Sequence, residues 1–233
     1  MKQMNGLIFG YNEYAQEIAK NIFKQYSRVT LFALKEDGYQ PIEKNQKVAF
    51  FDLSDEWDDI KRDYKMEETV AFCALEDDAQ NIFLTISLRA TFHDLTIVSL
   101  AKNNESANKL LMAGANKVIP VVQTTANRIV DILERPITSK VLHDIMYGKS
   151  SLKIVHIEVK EENAFGGQYP SDIDWSCNHG IIVLSVIHEN MQGEFIYSSK
   201  AKHQIIKKGD IFVVVGYEED LVEFEKLLGS RIV

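Results

Sequence analysis

The stretch GLIFGYNEYAQEIAKNI, Gly6 to Ile22, places Gly10, Asn12 and Ala15 at the spacing G-x-G-x-x-G. That spacing binds dinucleotides when all three residues are small. The first glycine permits a tight turn, the second lets backbone approach a pyrophosphate, and the third lets the helix pack close to its strand. Gly10 suits the first task and Ala15 the third. Asn12 puts a side chain where the phosphate would approach, and Glu13 adds a carboxylate beside it. That carboxylate suits the positive end of the following helix, but it competes there with a phosphate.

A ribose 2'-OH calls for Asp or Glu at the end of the second strand. Ala33 and Leu34 stand there instead, and Glu36 and Asp37 come late. Lys35 either supports a phosphate or lies on the surface. Asp52, at the end of strand three, either meets a ribose or braces a loop. Asp77 and Asp78 follow strand four, where open sheets bind ligands, and they equally suit a helix cap and first turn. These residues predict a degenerate nucleotide crevice. NAD is expected to bind weakly or not at all. ATP or ADP is better tolerated, with its adenosine half near Asp52 and Asp77.

No catalytic constellation competes with this reading. The histidines His93, His143, His156, His179, His188 and His203 show no HExxH spacing. Cys177 and His179 are neighbours, but two ligands do not make a zinc site. His156 and His188 fall in predicted strands and read as structural residues. Ser54, Ser99 and Ser185 lack the glycines of a nucleophile elbow. The expectation is a protein that is not an enzyme.

The elements that must position the crevice alternate through the first half. GLIFG, RVTLFAL, KVAFFDL, TVAFCAL, LTIVSLA and KVIPV read as six strands. Helices are predicted over 13–25, within SDEWDDIKRDY, over 77–89 and over NESANKLLMAG, with Gly114 as the last one's stop. Continuous apolar strands separated by helices predict a parallel, doubly wound Rossmann-like sheet covered on both faces. Pro120 belongs at its edge. Two helices follow, from about Thr124 to Glu134 and over SKVLHDIMYG, separated by Pro136. From Ser150 strands dominate: LKIVHIEVK, HGIIVLSVIHEN, EFIYS and DIFVVVGY, closed by a helix in EEDLVEFEKLL. This predicts a small mixed α+β lobe.

The formal net charge of -8 lacks the basic footprint of a nucleic-acid binder. Cys73 and Cys177, the two cysteines, read as reduced core or near-core thiols rather than a disulfide framework. No apolar run is long enough to span a membrane. MKQMNGLIFG lacks the apolar core of a signal peptide, so a cytosolic chain is expected.

Three longer stretches resemble the RCK family, the regulators of potassium conductance also called KTN or TrkA domains. They are LEDDAQNIFLTISLRA at Leu75–Ala90, NKLLMAGANKVIPVVQTTANRIVDIL at Asn108–Leu133, and KKGDIFVVVGYEEDLVEFEKLL at Lys207–Leu228. Their order and spacing extend the resemblance over the whole chain. It implies a Rossmann-like domain over 1–121, a helical crossover and dimerisation segment over 122–149, and a TrkA-C-like lobe over 150–233. It implies a gating module on the cytoplasmic side of the cell membrane that controls potassium flux by ligand-dependent rearrangement of a dimer or an octameric ring. The pore-forming channel or transporter subunit lies in the same full-length chain or in a separate one. Met1, directly before strand one, fits either case.

The resemblance also marks what is lost. Glu13 stands where members often carry a basic residue contacting phosphate. The ribose acid falls on Ala33 or Leu34, and Asp52 matches the family's Asp after strand three. Carboxylates of the calcium-gated members fall on Ala74, Ser99 and Ala101, so calcium is not expected at that place. Two other readings remain open: a small-ligand-binding Rossmann protein regulating another transporter, and a nucleotide-dependent enzyme.

Overall fold

Apolar runs spaced by amphipathic segments build the first unit of this computed structural model. The structure describes residues 4–23, 25–35, 48–54, 56–147, 150–161, 163–188, 193–195 and 205–229. Glu36, Asp37, Glu162 and His203 lie outside the described residues. The chain divides into two compact units, Met1–Val130 and Asp131–Val233.

In the first unit, strands β1 (Asn5–Phe9), β2 (Arg28–Leu34), β3 (Val48–Phe51), β4 (Thr69–Cys73), β5 (Thr96–Ala101) and β6 (Lys117–Pro120) form one parallel sheet. Their order is β3-β2-β1-β4-β5-β6, so the winding reverses between β1 and β4. Pro120 ends the edge strand, where its missing N–H costs no ladder bond. Helices α1 (Glu13–Ile22), α2 (Asp58–Asp63), α3 (Asp78–Thr91) and α4 (Asn104–Met112) cover the faces. Alternation along β1 explains both cores. Leu7 and Phe9 join Phe32, Phe51, Trp57, Leu84, Leu88 and Leu110 under α2, α3 and α4. Ile8 faces the other way and joins Ala15, Ala19 and Leu31 under α1. Helices therefore cover both faces of the sheet, the doubly wound arrangement expected of Rossmann-like folds, except beside α1, where Ile119 of β6 is exposed.

Three local departures have physical reasons. The acidic helix α2 begins only at Asp58, because Trp57 sits at φ 62° in the left-handed region. Its indole is buried, stacks edge-on to Phe9 at 5.5 Å and donates to Ser87 Oγ at 2.8 Å. Core packing of that ring overrides the helical pattern. Helix α1 stops at Ile22 rather than near residue 25. Helix α5 (Val121–Glu134) starts directly after Pro120, three residues before the expected Thr124.

The second unit holds α6 (Pro136–Met146), β7 (Leu152–Glu158), α7 (Trp175–His179), β8 (Ile182–Ile187), β9 (Gly193–Phe195), β10 (Ile211–Tyr217) and α8 (Glu218–Leu227). Its antiparallel sheet has the order β7-β10-β8-β9. Trp175, Phe165, Phe212 and Phe224 form an aromatic core, with Trp175 edge-on to Phe224 at 5.6 Å. The KKGD turn closes with Gly209 at φ +87°, and buried Asp210 accepts the Lys207 N–H at 2.8 Å. Buried His188 pairs its Nδ1 with Asp210 Oδ1 at 2.9 Å, which ties the end of β8 to that turn. His156 departs from expectation: it lies exposed on the outer face of β7, between the inward Val155 and Ile157.

Candidate functional site: the crevice at the ends of β1, β4 and β5

Gly10 makes the turn at the end of β1 at φ +131°. A Cβ there would stand 2.4 Å from the Ala74 carbonyl oxygen, so the end of β4 crosses where only glycine fits. Gly10 N–H donates to Phe32 O, and Ala74 N–H donates to Phe9 O, both at 2.8 Å. These bonds carry the sheet ladder one residue past each strand. Ala15, fully buried, lets α1 press against the sheet.

Asn12 occupies the middle position of the fingerprint with ordinary extended backbone, φ -89°. Its Oδ1 accepts the Ala15 N–H at 3.0 Å, and its Nδ2 donates to Ala74 O at 2.7 Å. It is thus a helix cap and a cross-link to β4 together. Glu13 is exposed in the first turn of α1.

The other candidates are engaged locally. Asp77 caps α3 by accepting the Gln80 N–H at 3.0 Å. Asp78 accepts the Lys102 N–H at 3.2 Å. Asp52 braces its own turn, with Oδ1 accepting from the N–H and the hydroxyl of Ser54 at 2.9 and 2.8 Å. Those bonds, backbone first, hold its carboxyl below the usual range, and the Lys35 charge adds to them. Lys35 and Asp52 follow β2 and β3, on the other side of β1 from β4 and β5.

A cavity of about 580 Å³ opens on the β4 and β5 side. Tyr11, Asn12, Glu13 and Tyr14 form one wall, Leu75 and Glu76 a second, and Ala101 and Lys102 a third. Of the residues nominated from the sequence, Asn12, Glu13 and Asp78 line it. Gly10 and Ala15 shape the turn behind it, and Asp77 starts the neighbouring helix.

Asn81 was missed by sequence reading. It is buried, accepts the Leu75 N–H and donates to Leu75 O, both at 2.9 Å, and its Nδ2 also reaches Leu100 O at 3.4 Å. It therefore fixes the separation of the β4 and β5 ends. An Asn at helical spacing with the inward-facing Leu84 and Leu88 of α3 was the available signal.

Ala74, Ser99 and Ala101 are all buried, and the Ser99 hydroxyl pairs with Thr85 Oγ1 at 3.0 Å. Among the described residues no cluster of three or more His, Cys, Asp or Glu is placed to hold a metal. Cys73 lies in the same buried layer. Burial pushes its thiol up to about 11, against weaker opposing bonds from Ser99 and Thr85. Cys177 is exposed, contrary to the near-core reading, because α7 turns it outward while burying Trp175.

A prediction follows from this contrast. Native protein takes up one alkyl label at pH 8, on Cys177, and unfolded protein takes two. The raised Cys73 value keeps its proton in the folded state while the unfolded thiol loses it. Stability is therefore full below about pH 9 and falls by roughly 3 kcal/mol as pH rises through about 11. Urea titrations compared with Cys73→Ala isolate that loss, which the variant lacks.

Residues 7–121 match the family model described as the TrkA-N domain. Residues 7–121 are a TrkA-N domain. The expectation of an RCK/TrkA-type regulatory domain is thereby met. Over 97% of its length the chain is similar, at 23% identity, to probable potassium channel protein 2 of Methanocaldococcus jannaschii, of which it covers 67%. Potassium channel protein 1 of the same organism is 22% identical over 72% of the chain and 50% of that protein. The chain spans about two thirds of the first relative and half of the second.

Among solved structures, the GsuK channel bound to NAD matches with a TM-score of 0.50 at 17% identity, over 99% of this chain and 39% of that one. The human SLO3 gating ring matches with 0.64 at 10% identity, over 94% and 45%. At these identities the likeness is one of fold. The TrkA-N domain has the Rossmann-like sheet of those proteins. Among its described residues, no helix is long and apolar enough to cross a membrane.

Proposed function

We propose that this chain is the regulatory module of a potassium channel or transporter, acting on the cytoplasmic side of the membrane. The observation that carries the reading is similarity to a potassium channel protein over 97% of the chain. The family is one of regulatory domains. We assign residues 1–121 to ligand sensing, 122–149 to crossover and pairing, and 150–233 to a C-terminal lobe. Pairs of chains form a dimer, and in the full assembly eight chains close a ring beneath a tetrameric pore, in the same polypeptide or a separate one. The crevice beside Asn12 and Glu13 holds the ligand that biases the ring between two arrangements.

In the native cell, in-frame deletion of residues 1–233 tests the regulatory role. Rubidium uptake is expected to change several-fold and to lose its response to metabolic state. Unchanged uptake would overturn the reading.

The GsuK channel was solved with NAD, but the turn in this chain differs from an open dinucleotide turn. Asn12 already takes the Ala15 N–H, and Glu13 opposes a pyrophosphate. Calorimetry is expected to give an NAD dissociation constant weaker than about 100 µM, roughly -5.5 kcal/mol, with ADP tighter than NAD. A low-micromolar NAD constant contradicts this. Calcium is expected to leave the protein unchanged through Ala74, Ser99 and Ala101, which offer it no carboxylate.

A further inference from the structure

The Asn12 side chain does inside this protein what a bound phosphate does at an open helix start. A phosphate there accepts first-turn N–H groups. Here Asn12 Oδ1 accepts the Ala15 N–H at 3.0 Å, and Nδ2 is anchored on Ala74 O at 2.7 Å. The phosphate's place is filled by a group the chain supplies itself. Glu13 then sets a negative charge on the same helix end.

The cavity next to this filled turn remains open. Its volume of about 580 Å³ lies within the range of small-ligand sites. Tyr11, Tyr14, Leu75, Leu100 and Val121 give it apolar and aromatic walls. Its charged groups are Glu13, Glu76 and Asp78 against Lys102, a net negative field. Such a field repels a polyphosphate and tolerates a neutral molecule. Carboxylates accept hydrogen bonds from sugar hydroxyls, and apolar walls suit a flat base.

We propose that the crevice takes an uncharged, phosphate-free ligand of nucleoside size, with Asn12 as the built-in substitute for its phosphate. The proposal rests on the crevice being the ligand site of the regulatory module. It narrows that site's chemistry from nucleotides in general to the base and sugar alone. ADP and ATP then bind through their nucleoside half, and each phosphate weakens them.

Calorimetry with the full chain and adenosine, AMP, ADP and NAD tests this. Adenosine is expected to bind tightest, with several-fold weakening on going to AMP and again to ADP, and NAD last. Tyr14→Ala is expected to weaken adenosine at least ten-fold. In Asn12→Gly/Glu13→Arg the order reverses: ADP gains at least ten-fold and binds more tightly than adenosine. Glycine keeps most of the capping preference, so this variant folds, and Glu13→Arg alone gives the same direction of change.

ADP binding more tightly than adenosine in the natural chain overturns the proposal. So does an unchanged order in both variants, or no binding of adenosine at all. The regulatory reading fails separately, through rubidium uptake that ignores the deletion.

Discussion

Replacing Ile129 and Leu133 with aspartate is expected to turn a dimer into monomers. The reason begins with α5, which contains no buried residue although its sequence is strongly amphipathic. Leu133 is 75% exposed and Ile129 53%. Val122, Val130 and Ile132 are exposed as well, and so are Ile137, Val141, Leu142 and Met146 of α6. Exposed apolar residues in such number on a helix are unusual for a monomer. The open sheet face beside α1 points the same way. Phe72, Leu100 and Ile119 line a shallow cavity there of about 890 Å³, with Val121 at its rim.

A two-fold axis uses each residue twice, so the double substitution removes four buried side chains. At about 1.5 kcal/mol or more each, the loss is roughly 6 kcal/mol, or more than a thousand-fold in dissociation constant. Sedimentation velocity at high micromolar concentration reads the result. The natural chain is expected as a dimer, the variant as a monomer with an unchanged circular dichroism spectrum, and Glu13→Arg as a dimer. A natural chain that sediments as a monomer defeats the pairing model. The further contact that closes a ring needs a second face. Phe83, Ile86 and Leu111 are exposed and available for it, whereas Leu110 is buried in its own core and Ile82 packs against it.

The sheet was legible in the sequence because burial on both faces leaves each strand as an uninterrupted apolar run. The edge position of β6 followed from Pro120, and the end of α4 from Gly114, found at φ +102°. What escaped depends on partners far along the chain. Leu110 and Leu111 are adjacent apolar residues, and only the packing of α4 on β5 and β6 decides which one is core. Cys177 lies between a buried tryptophan and an aromatic-packed His179, so its neighbours suggested an interior that the short α7 denies it. At the crevice, the sequence showed that Asn12 was out of place for a dinucleotide. It did not show that both ends of the amide are used, because Ala74 is 62 residues away. The same distance hid the role of Asn81, whose partners are the ends of two strands.

Gly10→Ala is expected to be the most damaging small substitution in the TrkA-N domain. Two costs coincide at this position. The backbone stands at φ +131°, which an L side chain adopts only under strain, and the added Cβ would lie 2.4 Å from Ala74 O and 2.9 Å from its carbonyl carbon. The obstacle is backbone in the ladder of β4, so neither a rotamer change nor a small shift relieves it. Strain of about 1–3 kcal/mol from the dihedral and a similar sum from overpacking give roughly 3 kcal/mol or more. Hydrogen exchange of the β1 and β4 amides reads this unit directly, and protection there is expected to fall at least 100-fold, about 2.7 kcal/mol. Gly6→Ala supplies the control in the same strand. The closest atom to its Cβ is Ile22 Cδ1 at 2.9 Å, the far end of a flexible side chain, Tyr26 and Val29 stay at ordinary contact distance, and its φ lies outside the positive range. That variant is expected to stay within about 1 kcal/mol of the natural chain. Any relief of the Gly10→Ala clash must push Ala74 O away from Asn12 Nδ2, whose 2.7 Å bond holds the turn. Where the variant folds, adenosine affinity should therefore fall with the protection of β4, and equal protection in the two glycine variants would show that the close approach of β4 to the turn carries no energetic weight.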